Sequence, residues 1–530
     1  MIDASGPDRV LAPPQLNRYP RMNKSQEPLP VPPSERLAQI RRGIEKEGLR
    51  ALPTGDLALT PHPLALGSAL THPQITTDYS ESQIELITGA HLGVDACLGE
   101  LVEVHQHVYH TLREAGDEML WVSSMPCGLP TDETIPLARY GSSNAGRSKS
   151  VYRMGLGHRY GRRMQMISGI HYNWSMPGVD SDQYFALIRN FRRHAFVLLY
   201  LFGSSPALCS CFVQGRAHSL QALDAKGHTL HLPHATSLRM GRLGYQSDAQ
   251  AEINVSYNGL DGYARSLHEA LTRPYPAYEQ LGIRNPGGEY NQLGTSLLQI
   301  ENEFYGTIRP KRGVKSGERP LHALRERGVE YVEVRLMDLD PFEAVGIAPA
   351  TMRMLDVFLL HCLQSDSPPD TPEEIAELKH NQHLTAERGR EPGLRLQRGG
   401  QGVLLSDWAE EVLGACVPLA AALDAAHGSS DYSQALAQAR ARVAQPETTP
   451  SARVLRAMMQ QHDCSFLGFS LAQSQQAREA LLAMPWTPEQ QARAKAQAEE
   501  SIAAQREREA ADTLPFEEWR ERYMAPQKLG

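Results

Sequence analysis

The sequence predicts an α+β fold, and three observations carry that reading. Five short stretches alternate apolar and polar residues with their acidic members on one parity, the two-residue period of half-buried strands. Strand-like and helix-like runs then follow one another to about Gln364 without the regular rhythm of a parallel sheet. Beyond Ser365 to Thr371, a Pro/Asp/Ser punctuation, the composition turns to Ala, Gln, Arg and Glu, which is helix-forming material.

Taken in order, residues 1–33 are rich in Pro and polar residues and read as a disordered extension. Residues 34–364 form the α+β body, opened by a short helix that Ser34 caps and that runs towards Ile40. Its strands are Gly43-Ile44-Glu45-Lys46-Glu47, Ile84-Glu85-Leu86, Ile170-His171-Tyr172-Asn173-Trp174, Leu298-Gln299-Ile300-Glu301-Asn302-Glu303 and Tyr331-Val332-Glu333-Val334-Arg335-Leu336. Residues 98–114 and 184–201 read as helices, the second carrying Phe185, Ile188, Phe191, Phe196 and Leu199. Residues 365–530 form a mainly helical region packed on or extending the body. There Ser406 caps a helix through Trp408, Val412, Leu419 and Leu423, kinked at Pro418. Thr487-Pro488-Glu489-Gln490 sets a capping box, and the helix it starts, towards Ala511, lacks an apolar stripe and reads as solvent-exposed.

The bulk properties exclude several classes. A net charge of -8 over 530 residues leaves no nucleic-acid footprint. No apolar run reaches the roughly 18 residues of a membrane span, and the first forty residues have no signal-type core. Seven scattered cysteines suit a reducing compartment, so a soluble cytoplasmic protein is expected.

The chemistry is written on the polar parity. Carboxylates crowded on one sheet face repel unless cations neutralise them, so the pattern points to a polynuclear metal site and phosphate chemistry. Glu45 and Glu47 share a face. Any single Glu-x-Glu is more often solvated, but the acidic patch from Asp78 to Glu85 and the repeat Glu301-Asn302-Glu303 weigh against that here. Hard oxygen ligands in this number suit Mg²⁺ or Mn²⁺. His171 lies on the polar side of its strand with Asn173 and Ser175. Arg335 would sit beside a metal-bound phosphate, unless it simply pairs with Glu333. Arg309, Lys311 and Arg312 could hold nucleotide phosphates, although surface loops often carry such clusters. Tyr140 to Arg147 reads as a turn before a helix, neither a Walker loop nor a dinucleotide fingerprint, and no nucleophile elbow occurs.

At these same strands the chain resembles the proteobacterial type of glutamate–cysteine ligase, or γ-glutamylcysteine synthetase. The matching motifs are Arg42-Gly43-Ile44-Glu45-Lys46-Glu47, Leu66-Gly67-Ser68-Ala69-Leu70-Thr71-His72 with Thr76-Thr77-Asp78, Ser124-Met125-Pro126-Cys127, and Tyr140-Gly141-Ser142-Ser143-Asn144. Gln165 to Asn173, Tyr200 to Gly203, Gln299 to Glu303, Ile308 to Arg312 and Tyr331 to Arg335 continue the match, which runs from about Leu37 to about Pro526. The resemblance implies a glutamine synthetase-like catalytic fold, with a curved, mainly antiparallel sheet forming a funnel.

Carried over residue by residue, the resemblance makes Glu45, Glu47, Asp78, Glu85, His171 and Glu333 metal ligands and Arg335 the catalytic arginine. It puts Tyr79, Tyr152, Leu156, Gln165, Tyr245 and Tyr305 around cysteine. Two or three Mg²⁺ (or Mn²⁺) ions would serve ATP-dependent joining of L-glutamate to L-cysteine, the first step of glutathione biosynthesis, with glutathione as a feedback inhibitor. A related ligase with another amine acceptor, or a phosphotransferase on the same scaffold, stays open at this point.

Overall fold

The computed structural model describes residues 31–243, 249, 253–315 and 317–530. Nearly all of the expected N-terminal extension, and Tyr245, lie outside the described residues. The central sheet begins with β1 (Arg41–Ala51), β2 (Ile75–Thr77), β3 (Gln83–Ile87), β4 (Met119–Leu120) and β5 (Ile170–Ser175). A separate small sheet follows, made of β6 (Ala207–Cys209), β7 (Gln221–Ala222) and β8 (Thr229–His231). β9 (Ile308–Lys311) and β10 (Tyr331–Met337) then complete the central sheet, and β11 (Arg395–Arg398) pairs with β12 (Gln401–Leu404) as a hairpin. The central order is β2-β3-β1-β5-β10-β9, with β4 beside β1, and every pairing in it is antiparallel. The architecture is α+β, as the alternations predict.

The two faces of this sheet separate by parity. Ile44, Ile84, Leu86, Ile170, Tyr172, Trp174, Val332 and Val334 all point to the core and are buried. Helices Val94–Glu114, Ser181–Phe202 and Pro349–Gln364 supply the apolar surfaces of that core. Two cations also sit on this apolar side. Arg42 meets Asp356 at 3.0 Å, and Tyr172 donates to the same carboxylate at 2.8 Å. Lys46 Nζ lies 2.8 Å from His105 Nε2. The Arg42 charge persists this deep because Asp356 pairs with it, whereas burial pushes Lys46 down to about 7.

Several expectations need correction. Leu298 to Glu303 is not a strand: Glu301–Glu303 is one turn of 3-10 helix. Arg319 reaches Glu301 at 2.8 Å, while Glu303 takes Arg159 at 2.8 Å and Tyr160 at 2.6 Å, so these carboxylates brace a wall rather than line the sheet. Ser406 is not a cap, since helix Leu405–Ala415 begins before it. Pro418 does not kink one helix; it sits in the first turn of a second, Val417–His427. The short opening helix, Ser34–Leu37, starts at Ser34 and has Pro33 at its N-cap.

The capping box at Thr487 is present, with both reciprocal bonds. Its helix, Pro488–Ala511, is nevertheless not simply solvent-exposed, because small residues make its contact face: Ala494, Ala498 and Ser501 are buried. Gly67, at φ +81°, leaves room for it, since a Cβ there would overlap Ser501 Oγ and lie 2.9 Å from Ala498 Cα. Ser501 Oγ accepts from Ser68 N at 2.9 Å, and Glu509 accepts from Ser142 N at 2.8 Å.

Candidate active site

The register of the sheet assembles the polar face. Glu45 of β1 lies opposite His171 of β5, Glu47 opposite Glu85 of β3, and Glu333 of β10 opposite Asn173 of β5. Glu45 Oε2 is 3.2 Å from His171 Nδ1, and Glu47 Oε1 is 3.6 Å from His171 Nε2. Glu45, His171 and Glu333 each offer a ligand atom within 4.8 Å of the others. Asn173 donates to Glu45 at 3.0 Å, and the Gly169 backbone donates to Glu47 at 2.7 Å, fixing both carboxylates. Asp78 begins the tight turn from β2 into β3, its N–H bonded to Gln83 O at 3.0 Å.

The electrostatics divide the carboxylates into two groups. Burial, then the charge of Asp78, pushes Glu47 up to about 8. Burial, then repulsion from Glu45, Asp78 and Glu47, holds Glu85 well above the ordinary carboxylate range. For Glu333 burial acts in the same direction but is overcome by Lys311, Arg335 and His171, which hold it well below that range. Glu45 is likewise lowered, since its bond from His171 and the charge of Lys311 outweigh burial and Glu333. Burial, then Arg335, lowers His171. The lowered Glu45 and Glu333 thus stand beside His171 as carboxylates of the kind a hard divalent cation binds. Glu47 and Glu85 are carboxyls that need added positive charge to ionise. Donors of this chemistry fit Mg²⁺ or Mn²⁺ and not a thiolate-seeking ion.

The basic residues divide as well. Arg335 donates to Glu333 at 3.1 Å, so the ion pair weighed from sequence exists, yet the guanidinium also faces the cavity. Lys311 meets Glu333 at 3.0 Å. Arg309 lies across from Glu333 in register but spends one nitrogen on Asn302 O at 2.9 Å and on Phe304 O. Arg312 turns away, 3.8 Å from Glu330.

A cavity of about 280 Å³ opens beside this floor, lined by Glu47, His171, Arg239, Tyr305 and Arg335, and further out by Lys379, Gln382 and His383. Tyr305 donates to Gln165 at 3.1 Å. Tyr79, Tyr152, Leu156 and Gln165 are all buried. Helix Asn144–Tyr160 carries Tyr152 and Leu156; it comes close to Tyr79 at Gly157, where a Cβ would lie 2.6 Å from the tyrosine oxygen.

Sequence reasoning missed Arg239. It lies in a 3-10 turn, Leu238–Met240, and donates to Arg335 O at 2.9 Å. Its guanidinium packs against Gly169, where a Cβ would overlap it, and lies 3.7 Å from Asp338. Nothing around Arg239 in sequence marks it, since the pairing is entirely tertiary.

Residues 31–385 match the family model described as glutamate-cysteine ligase. The chain is 49% identical to a glutamate–cysteine ligase of Azotobacter vinelandii over 92% of its own length and 95% of the relative's. It is 45% identical to one of Alcanivorax borkumensis, over 91% and 95% respectively. Among solved structures, glutamate–cysteine ligase of Francisella tularensis in complex with AMP superposes with a TM-score of 0.86 at 36% identity, covering 92% of this chain and 97% of that one. A bifunctional glutathione synthetase of Pasteurella multocida gives 0.67 at 26% identity, covering 84% and 53%. With likeness running through both sequence and fold over nine-tenths of its length, the chain belongs to the glutamate–cysteine ligase family.

Proposed function

We propose that the chain joins the γ-carboxylate of L-glutamate to the amine of L-cysteine at the expense of ATP, giving γ-glutamylcysteine, ADP and phosphate. The observation that carries this reading is the convergence of Glu45, His171 and Glu333 from three strands within 4.8 Å, with Arg335 beside them. A free carboxylate is a poor electrophile. In the first step a γ-carboxylate oxygen attacks the terminal phosphorus of ATP and ADP leaves, forming γ-glutamyl phosphate. The cysteine nitrogen then attacks the acyl carbon, loses a proton and expels phosphate.

Glu45, His171 and Glu333 would hold one Mg²⁺ (or Mn²⁺), and Glu47, Asp78 and Glu85 would hold a second and any third. Bound there, these ions neutralise and orient the triphosphate. The protein's own groups do the rest. Arg335 takes up negative charge growing on the transferred phosphoryl, and Glu333 keeps its guanidinium aimed. Arg239 adds a second fixed positive charge on the cavity wall, suited to a substrate carboxylate. Lys311 and Arg309 favour phosphate on the far side of Glu333, a role Arg312 is too remote to share. Tyr79, Tyr152, Leu156, Gln165 and Tyr305 form a small, largely apolar recess where shape selects the acceptor side chain.

Glutathione contains both the γ-glutamyl and cysteinyl parts, so it would occupy both subsites and inhibit by competition. A reaction that needs ATP and a reduced thiol supports a cytoplasmic setting. Phosphate release, measured with glutamate alone, cysteine alone and both, tests the proposal. Release that requires both substrates supports it; phosphorylation of one substrate without the other would replace the ligase with a phosphotransferase.

A further inference from the structure

Behind the cavity wall lies a buried carboxylate that takes no part in the acidic floor. Asp338 directly follows β10, the strand that carries Arg335. Its Oδ2 accepts from Ser204 N at 2.9 Å and its Oδ1 from Ser237 Oγ at 2.9 Å. Ser204 lies just past helix Ser181–Phe202, and its hydroxyl donates to Leu339 O at 2.6 Å. Ser237 caps the 3-10 turn Leu238–Met240, accepting from Met240 N at 3.3 Å. One carboxylate thus clips together the end of β10, the end of the helix and the turn that carries Arg239.

Arg239 stands in front of this clip. Its Nη1 lies 3.7 Å from Asp338 Oδ1, and its Nη2 donates to Arg335 O at 2.9 Å. Its Nε is buried and has no hydrogen-bond partner among the described residues. The residue is only 3% exposed, yet it lines the cavity. Asp338 therefore spends its short bonds on neutral donors and stays beyond hydrogen-bond length of the guanidinium. It orients Arg239 by charge and leaves it able to take a second anion. The outer arginines of the cavity differ, since Arg192 meets Asp370 at 2.8 Å and Arg193 meets Glu374 at 2.6 Å.

We propose that Asp338 is a positioning residue for the donor amino acid, fixing through Arg239 the place where the α-carboxylate of glutamate binds. This rests on the ligase reading given above. In that reading the γ-carboxylate lies beside Arg335, where it is phosphorylated. The α-carboxylate belongs to the same short molecule and must settle on the adjoining wall, where Arg239 is bonded to the Arg335 backbone. A donor without that carboxylate leaves a buried guanidinium unsatisfied and is rejected. Without the Asp338 charge, the guanidinium is free to tilt, and glutamate must realign it on binding.

The test measures phosphate release by the full-length protein with ATP and cysteine. It compares L-glutamate with γ-aminobutyrate, which keeps the amine and the reacting carboxylate but lacks the α-carboxylate. Asp338→Asn is isosteric, and its amide oxygen can still accept from Ser204 N. It should raise the glutamate KM by roughly tenfold, with kcat and the KM values for cysteine and ATP changed by no more than about twofold. The preference for glutamate over γ-aminobutyrate, as a ratio of kcat/KM, should fall by the same factor. In an Arg239→Met background, Asp338→Asn should have no further effect on that ratio, because the two residues act as one unit. Ser237→Ala frees Oδ1 to close on Arg239; it should move the glutamate KM the same way by a smaller factor, and serves as the second reading if Asp338→Asn does not fold. Equal losses with both donors, or a fall in kcat alone, would overturn the positioning role. Phosphate release by the wild-type protein that does not require both amino acids would instead overturn the ligase reading.

Discussion

Arg335 donates to the Glu333 carboxylate from two residues further along β10, at 3.1 Å, and the register with β5 shifts between Val334 and Met337. The strand period puts both side chains on one face, and the bulge that starts there re-aims the chain towards the cavity. An arginine at a transferring phosphoryl group is worth roughly 10³–10⁵ in rate. Arg335→Ala should therefore lower kcat by about 10³ or more, and Arg335→Lys should rescue little, because an ammonium lacks the planar fork. Steady-state phosphate release checks both. Near-wild-type turnover in either would remove Arg335 from the reaction.

Glu47 and Glu85 make the stability of the protein depend on pH. Both are raised in the folded state, Glu47 to about 8, so the fold binds more protons than the unfolded chain above the ordinary carboxylate pKa. Their contribution is present at low pH and is lost as pH rises through the folded value. With a chelator present, the melting temperature of the wild-type protein should lose ground to that of Glu47→Gln as pH rises from about 5 to about 8.5, and saturating Mg²⁺ should restore it. A difference between the two proteins that stays constant over this window would contradict the assignment. Mg²⁺ binding should also release protons, seen as a buffer-dependent heat in titration calorimetry.

The Tyr305–Gln165 hydrogen bond joins two residues of the proposed acceptor recess. Tyr305→Phe should raise the cysteine KM by roughly threefold to tenfold, with the ATP KM unchanged. Cysteine and 2-aminobutyrate should be accepted comparably, since shape rather than a polar contact discriminates; efficient use of serine would argue against such a recess.

Gly67 faces the helix Pro488–Ala511 with φ at +81°. Gly67→Ala meets both a left-handed backbone and the Ser501 side chain, and should cost about 1–3 kcal/mol. Thermal unfolding measures this, and Ser501→Gly in the same chain should recover part of the loss.

The strands β1, β3, β5 and β10 are legible because each alternates apolar and polar residues with its acidic members on one parity, and the same pattern names Glu45, Glu47, Glu85, His171 and Glu333. Identical logic failed at Glu301 and Glu303. Their spacing also fits a strand, but Arg319 and Arg159, distant in sequence, claim them for a 3-10 wall. The contact face of helix Pro488–Ala511 is silent in the sequence for a related reason: Ala494, Ala498 and Ser501 bury little surface each, so their close packing leaves no hydrophobic signature. Arg239 is invisible because its partners, Asp338 and the Arg335 carbonyl, lie about a hundred residues away in sequence.

Ser68 bonds to Ser501, and Asn144 bonds to Leu514 O at 3.0 Å, so the loop ahead of Asp78 and the start of the helix that carries Tyr152 are tied to residues 501–514. A ribosome adding about 5–20 residues per second needs roughly 20–90 s to travel from Asp78 to Leu514. Throughout that interval the acidic loop exists without its strap. The nascent polypeptide should stay inactive until residues 501–514 have been made, and termination ahead of Ser501 should yield no working enzyme.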